Sequence, residues 1–377
     1  MLEVTEPHID EVTHDNEDDL EIQGYNESDE VYPATINVSK DDSSIYELKR
    51  QYDKKRIELS PNYQRGNVWN SKQRSELIES ILMGIPLPIM YFFQNSSGIK
   101  QVVDGKQRLT ALFDYIDNNF SLSDLNIMSE LKGKKFQDLT GLQQGKIEDY
   151  KVSINVIKPP TPDRIKFDIF DRVNRGGTRL NNQEMRNAIY QGPATELLER
   201  LKDYPYFKKA TDNSIRSRVM KDRHMILRFI AFYLWRTNAL TTKSGELVEY
   251  KSDIDAFLGK TMDFLNHTSP NSIMEIENIF KVAMKNSYDL LGPNGFRIST
   301  YKQSTQKRPV NMALFESLAY LMSFDEVRKE KDQVKENIKL LFDDVEFDAA
   351  ITTPVDSSSK VNMRFKKINK IVRSLNL

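Results

Sequence analysis

Cysteine is absent from all 377 residues, which excludes disulfides, thiolate metal sites and cysteine nucleophiles. Histidine is scarce. The four present, His8, His14, His224 and His267, are scattered along the chain. No His-Glu-x-x-His, Gly-x-Ser-x-Gly or paired metal-ligand spacing occurs, so the common zinc hydrolase and serine hydrolase signatures are missing. No histidine-based nuclease motif is present either. No run approaches the roughly eighteen apolar residues of a membrane-crossing helix. The opening MLEVTEPHIDEVTHD has neither the basic region nor the apolar core of a secretory signal. A cytoplasmic protein is expected.

Basic residues are missing from one region only. Residues 1–39 hold twelve Asp or Glu and no Lys or Arg, whereas the rest of the chain carries 54 basic and 43 acidic residues. The net charge of −1 therefore conceals an acidic leader joined to a basic body. Such a body favours polyanions, nucleic acid or nucleotides. The leader, with few large apolar residues and charge of one sign, reads as a disordered tail over residues 1–40. It is either a solubilising segment or an internal mimic of nucleic acid that covers the basic surface.

The chain as a whole has ordinary globular composition, 39% hydrophobic and 29% charged. Order is expected to begin near Ser43, with Ser capping a helix over the run IYELKRQYD. A short strand comes next at Arg56–Leu59. Leu77, Ile78, Ile81 and Leu82 form the stripe of a helix from Ser71, as its cap, to Met83, stopped by Gly84. Residues 89–93 and 100–103 read as a hairpin turning at Asn95–Gly98. A helix starts at Lys106, then come a polar insert at 131–150, a strand at 152–156, a helix from about Asp163 to Val173, and another from Asn181 to Tyr190. Beyond Pro193 the pattern is helical, with loops near 211–218, 240–250, 267–272, 292–309 and 350–360. The expected fold is α+β: a small mixed-sheet domain over 41–190, then a mainly helical domain over 191–377.

The sharpest chemical feature is the strand–turn–helix Gln101-Val102-Val103-Asp104-Gly105-Lys106-Gln107-Arg108. Gly105 permits a tight exit from the strand, and the helix after it aims its amide groups and positive dipole end at the turn. Lys106 and Arg108 add cations suited to phosphate. Asp104 is placed to bind Mg²⁺ or position a water. The competing reading is an Asp-Gly turn whose Arg forms a salt bridge. A second feature, Phe170 to Leu180, sets Gly176 and Gly177 among Asn174 and three arginines. It suits either a backbone closing over a charged ligand or a helix C-cap leading into an Asn-capped helix. A third is the basic stretch from Phe207 to Arg228, with seven Lys or Arg against two acids. There Arg216, Arg218, Lys221 and Arg223 are candidate nucleic-acid contacts, against core packing with a solvated basic face. The last eighteen residues, with six basic residues and no acid, admit the same two readings. His224 reads as a core-edge histidine.

Taken together, several runs resemble a known family: Pro61–Arg65 with Val68-Trp69, Leu77–Pro88, Val103–Leu109, Phe170–Gly177 and Asn181–Gly192. The chain resembles the N-terminal domain of GmrSD-type restriction endonucleases, which has a ParB/sulfiredoxin-like core. Arg223–Phe229, Phe296-Arg297 and Asn311–Glu316 resemble the family's helical extension, so the likeness spans roughly 44–325. The resemblance implies nucleotide binding and hydrolysis at an Asp-Gly-Gln-Gln-Arg motif, in bacterial defence against phage DNA. Carried to matching positions, Asp104, Gly105, Gln107 and Arg108 form the core of that site. Tyr63, Gln64 and Arg65 contribute from the preceding loop, and Asn174, Gly176 and Gly177 close the other side. Lys106 departs from the family's usual Gln. Nothing in the sequence matches the C-terminal histidine–metal nuclease domain of full-length members.

The expected function is thus a Mg²⁺-dependent nucleoside triphosphatase module of a defence system, acting with DNA or a separate nuclease or defence partner. Asp104, Gln107 and Arg108 are its expected catalytic residues, with Asp104 as the metal ligand. The alternative is a non-catalytic ParB-like DNA-binding or adaptor protein. Direct nicking of DNA at Asp104 ranks last, because one carboxylate makes no two-metal site. If the acidic tail masks the basic surface, deleting residues 1–39 will tighten DNA binding at low salt and steepen its salt dependence. Equal affinity in a salt titration would return the tail to a solubilising role.

Overall fold

The computed structural model describes residues 36–59, 69–95, 97–123, 125–159, 161, 169, 181–302, 306–352 and 354–375. Strand β1 (Val38–Ser44) runs straight into helix α1 (Ile45–Asp53). Ser44 makes the switch: its extended backbone ends the strand, and its hydroxyl accepts the Glu47 amide at 3.2 Å as an N-cap. Next come β2 (Ile57–Glu58), α2 (Ser71–Leu82), β3 (Met90–Gln94), β4 (Lys100–Asp104), α3 (Lys106–Ile116), α4 (Gly141–Glu148) and β5 (Lys151–Ile157). The five strands form one sheet in the order β1-β5-β3-β4-β2. β1 is antiparallel to β5, β5 parallel to β3, β3 antiparallel to β4, and β4 parallel to β2.

Both sheet faces are covered. Phe92, Val102, Val152 and Ile154 pack with Ile45, Leu48, Ile78, Leu109 and Leu112 from the helices on one side. Phe93, Val103 and Ile157 face the other way, toward Met185, Ala188 and Ile189. These three belong to α5 (Asn182–Ile189). The fold is therefore α+β, a small mixed sheet followed by a helical half.

That half comprises α6 (Pro193–Lys202), α7 (Pro205–Ala210), α8 (Lys221–Arg236), α9 (Ile254–His267), α10 (Pro270–Leu291), α11 (Met312–Leu321), α12 (Lys331–Asp343), α13 (Val345–Ile351) and α14 (Ser358–Ser374). Proline opens α6, α7 and α10, where its missing amide hydrogen costs nothing. The core is aromatic: Phe232 meets Phe365 at 5.4 Å, Phe229 meets Phe280 at 5.5 Å, and Phe296 meets Phe315 at 4.9 Å between ring centroids. Through this core runs a charged chain. Glu316, fully buried, accepts from Arg228 at 2.7 Å and from Arg364, and Arg228 also reaches Asp356 at 2.6 Å. The chain fastens α8, α11, α14 and the turn before α14 to one another. Among the described residues no helix is long and apolar enough to cross a membrane.

Two expectations change. Order begins before Ser43, because β1 is a regular strand; its sequence VSKDDSS is too polar to signal one, and its ladder with β5 supplies the stability. Asn70, not Ser71, caps α2, in a reciprocal capping box with Gln73. In the C-terminal segment the apolar face read from the sequence is present: Phe365, Ile368, Ile371 and Leu375 are all buried. The helix expected over 163–173 lies outside the described residues save Ile169, as does the tail up to residue 35.

Glu316→Leu removes the carboxylate between two buried guanidinium groups. It is expected to destabilise the protein by about 3–5 kcal/mol, read as a lower denaturant midpoint with an unchanged slope.

Candidate functional site

The site begins at the end of β4. Tyr91 sits opposite Asp104, with the ladder shifting register between Tyr91 and Phe92. Gly105 comes next at φ 100°, ψ 2°, a left-handed conformation open to glycine at little cost. A Cβ there would come within 2.8 Å of the Met90 Cγ and Sδ atoms. The strand thus turns into α3 within one residue, and Gly105 serves as a helix N-cap without a side chain.

Asp104 and Arg108, four apart, meet across this turn. The Arg108 Nη2 donates to Asp104 Oδ2 at 2.7 Å, while Nη1 donates to the Pro88 carbonyl. The Arg108 side chain is 12% exposed and Asp104's is 35% exposed. Burial pulls the Arg108 pKa down, with the Asp104 carboxylate opposing, and burial likewise lowers that of Lys106. Lys106 and Gln107 are half-buried at the same turn. The salt bridge that the sequence left open therefore forms. Its Arg108 and the neighbouring Lys106 are both partly desolvated, so charge interactions at the turn count for more than in bulk water.

Two supporting residues gave no signal in the sequence. The Tyr150 hydroxyl donates to the Ile85 carbonyl at 2.8 Å and accepts the Leu87 amide at 3.1 Å. This pins the strap Ile85-Pro86-Leu87-Pro88 and presents the Pro88 carbonyl to Arg108. Met90, packed against Gly105, is the other. Of the remaining expected residues, Tyr63, Gln64, Arg65, Asn174, Gly176 and Gly177 lie outside the described residues.

Asp104 stands as a single carboxylate, and among the described residues no group of three or more His, Asp or Glu is placed to cage a metal. This donor set fits Mg²⁺ held chiefly by nucleotide phosphates with one protein carboxylate. It does not fit an ion enclosed by protein ligands. Two shallow depressions lie elsewhere, one lined by Glu196, Glu199, Arg200 and Asp203, the other by Arg200, Met274, Glu277, Asn278 and Lys281; Arg200 and Lys281 are already paired with Glu277 there.

A second polar constellation joins α5 to α8 and α9. Arg186, fully buried, donates to Gln183 Oε1 at 3.0 and 3.1 Å, pairs with Asp255 and lies 3.0 Å from His224 Nδ1. Arginine can only donate, so His224 Nδ1 accepts and Nε2 carries the proton. Burial, followed by the charges of Arg186, Arg228 and Lys221, holds the His224 pKa well below 6.5. His224 is thus a neutral, half-buried member of this network, at the core edge where the sequence put it. Gln183, Arg186 and Asp255 were not singled out by sequence reasoning, although the Asn181 cap with Glu184 was a usable signal.

The basic stretch divides. Arg216 and Lys221 are exposed. Arg223 is buried and donates to Glu199 at 2.6 and 3.0 Å and to Asp222 at 3.1 Å. As a nucleic-acid contact it is corrected: its charge is neutralised inside the fold. The side chain of Arg218 lies outside the described residues. For the turn itself, Gly105→Ala combines a left-handed backbone with the Met90 overlap. It is expected to destabilise by about 1–3 kcal/mol, measurable by thermal unfolding, with partial recovery in Gly105→Ala/Met90→Ala.

Residues 45–191 match the family model described as the GmrSD restriction endonuclease, N-terminal domain. A search of curated proteins gave no match. The matched span opens with α1, includes the Asp104–Arg108 turn and closes just after α5. Residues 45–191 thus form a domain of the GmrSD N-terminal type.

Proposed function

We propose that the β4–Gly105–α3 turn binds a nucleoside triphosphate and hydrolyses its terminal phosphoanhydride, gated by DNA or a partner effector in the cytoplasm. The carrying observation is the left-handed Gly105, which gathers Lys106, Gln107, Arg108 and the start of α3 beyond one strand end. In this reading Lys106 and Arg108 neutralise phosphate charge, and Gln107 orients the attacking water. Arg108 exchanges part of its bond to Asp104 for a phosphate oxygen, which frees that carboxylate to face the ion. When bound, Mg²⁺ supplies further neutralisation of the triphosphate, with Asp104 as its protein ligand. The bond from the terminal phosphorus to the bridging oxygen breaks as the water's oxygen adds, giving a nucleoside diphosphate, inorganic phosphate and a proton released to solvent. Positioning and electrostatics carry most of such a reaction, so the absence of a strong base does not disqualify the site.

A second reading, a non-catalytic ParB-like DNA-binding or adaptor protein, is favoured by one observation: the Asp104 carboxylate already engages Arg108 at 2.7 Å. Phosphate-release assays with each common ribonucleoside triphosphate, with and without DNA, separate the two. Arg108→Ala is expected to lower release by roughly 10²-fold or more. The variant also loses the ion pair to Asp104 and the bond to the Pro88 carbonyl, so thermal unfolding of the same variant checks that it remains folded. Full activity in this variant, or no calorimetric heat from any triphosphate with Mg²⁺ on the parent protein, defeats the assignment. Binding without release selects the adaptor reading.

A further inference from the structure

Helix α14 has an inner and an outer face of opposite character. Val361, Phe365, Ile368, Ile371 and Val372 are buried, and Arg364 is committed to Glu316. The outer stripe consists of Ser359, Asn362, Lys366, Lys370 and Arg373, all exposed. The helix contains no acidic residue. Among the described residues no ion pair engages Lys366, Lys370 or Arg373, whereas Lys367, one position round, is taken by Asp344 and by Glu346 at 2.6 Å. The neighbouring α12 shows the ordinary alternative: its lysines are interspersed with Asp332, Glu336 and Asp343, and Lys339 lies 3.8 Å from Glu336.

We propose that the outer face of α14 is a docking surface for the phosphate backbone of duplex DNA. Spacing, chemistry and the missing aromatics all bear on the occupant. Lys366, Lys370 and Arg373 fall at i, i+4 and i+7, about 6 Å and about 10 Å along the axis, close to the axial rise of about three phosphates on one strand. Ser, Asn, Lys and Arg are the side chains that contact phosphate and sugar without reading sequence. The stripe carries no aromatic residue, so it offers no stacking platform for the bases of a single strand. This surface is independent of the nucleotide reading and differs from the Arg216–Arg223 stretch, where Arg223 is buried.

The test is nucleotide-free fluorescence anisotropy with a labelled duplex and its single strand over a salt series. The triple variant Lys366→Gln/Lys370→Gln/Arg373→Gln is expected to bind duplex more weakly. Its plot of log affinity against log salt should be shallower by about 2.7, the value for three lost phosphate contacts. Lys54→Gln/Lys151→Gln/Lys260→Gln removes the same charge from exposed sites elsewhere and should leave the slope unchanged. An equal fall in this control, preference for the single strand, or no duplex binding by the parent protein overturns the proposal. Single Lys370→Gln, expected to take about one third of the slope change, keeps the test decisive if the triple variant unfolds.

Discussion

The candidate site depends on one backbone conformation. Gly105 turns the chain at positive φ directly from a strand into a helix, so the last residue of β4 and the first turn of α3 lie over the same spot. The Asp104–Arg108 pair results from that reversal, because four residues across such a turn bring the two side chains together. Arg108 then bridges to the Pro88 carbonyl, and Tyr150 holds the strap that offers it. The start of β3, the end of β4 and the start of α3 are thus fastened by groups that also shape the charge of the turn.

The helical half handles charge differently. Arg186, Arg223, Arg228 and Arg364 are buried and matched by Asp255, Glu199, Glu316 and Asp356. Guanidinium suits this use, since its planar fork can satisfy two acceptors at once. The surface cations are mostly lysines. The positive balance of the body, taken from composition, therefore overstates what solvent meets: several arginines act as internal fasteners, and the outward excess is concentrated in lysine-bearing stripes.

Much of the architecture was legible because local signals agreed with the final packing. The stripe of α2, the hairpin at Asn95–Gly98, the glycine before α3 and the proline-opened helices each carry their instruction within a few residues. β1 was not legible, because a seven-residue strand made of Ser, Lys and Asp with one Val exists only through its ladder to β5. The Asp104–Arg108 turn was visible as a motif, but its ion pair was only one of two outcomes. Choosing between them required the burial of Arg108 and the Pro88 carbonyl, which lies twenty positions away. The role of Tyr150 was invisible for the same reason, and so were the partners of Arg186: they are assembled by tertiary packing, although the capped helix that carries Arg186 was readable.

One consequence of β1 concerns the company the protein keeps. As an outer strand it shows a row of amides and carbonyls that a second chain could extend into a larger sheet. Lys40, Asp41 and Asp42 stand along that rim, and Lys100 reaches across to Asp41 at 3.2 Å. An incoming strand would have to desolvate Lys40 and Asp42, the exposed charged side chains of this strand. Charged side chains on an edge strand are a device against edge-to-edge pairing, so this rim disfavours fibril-like stacking.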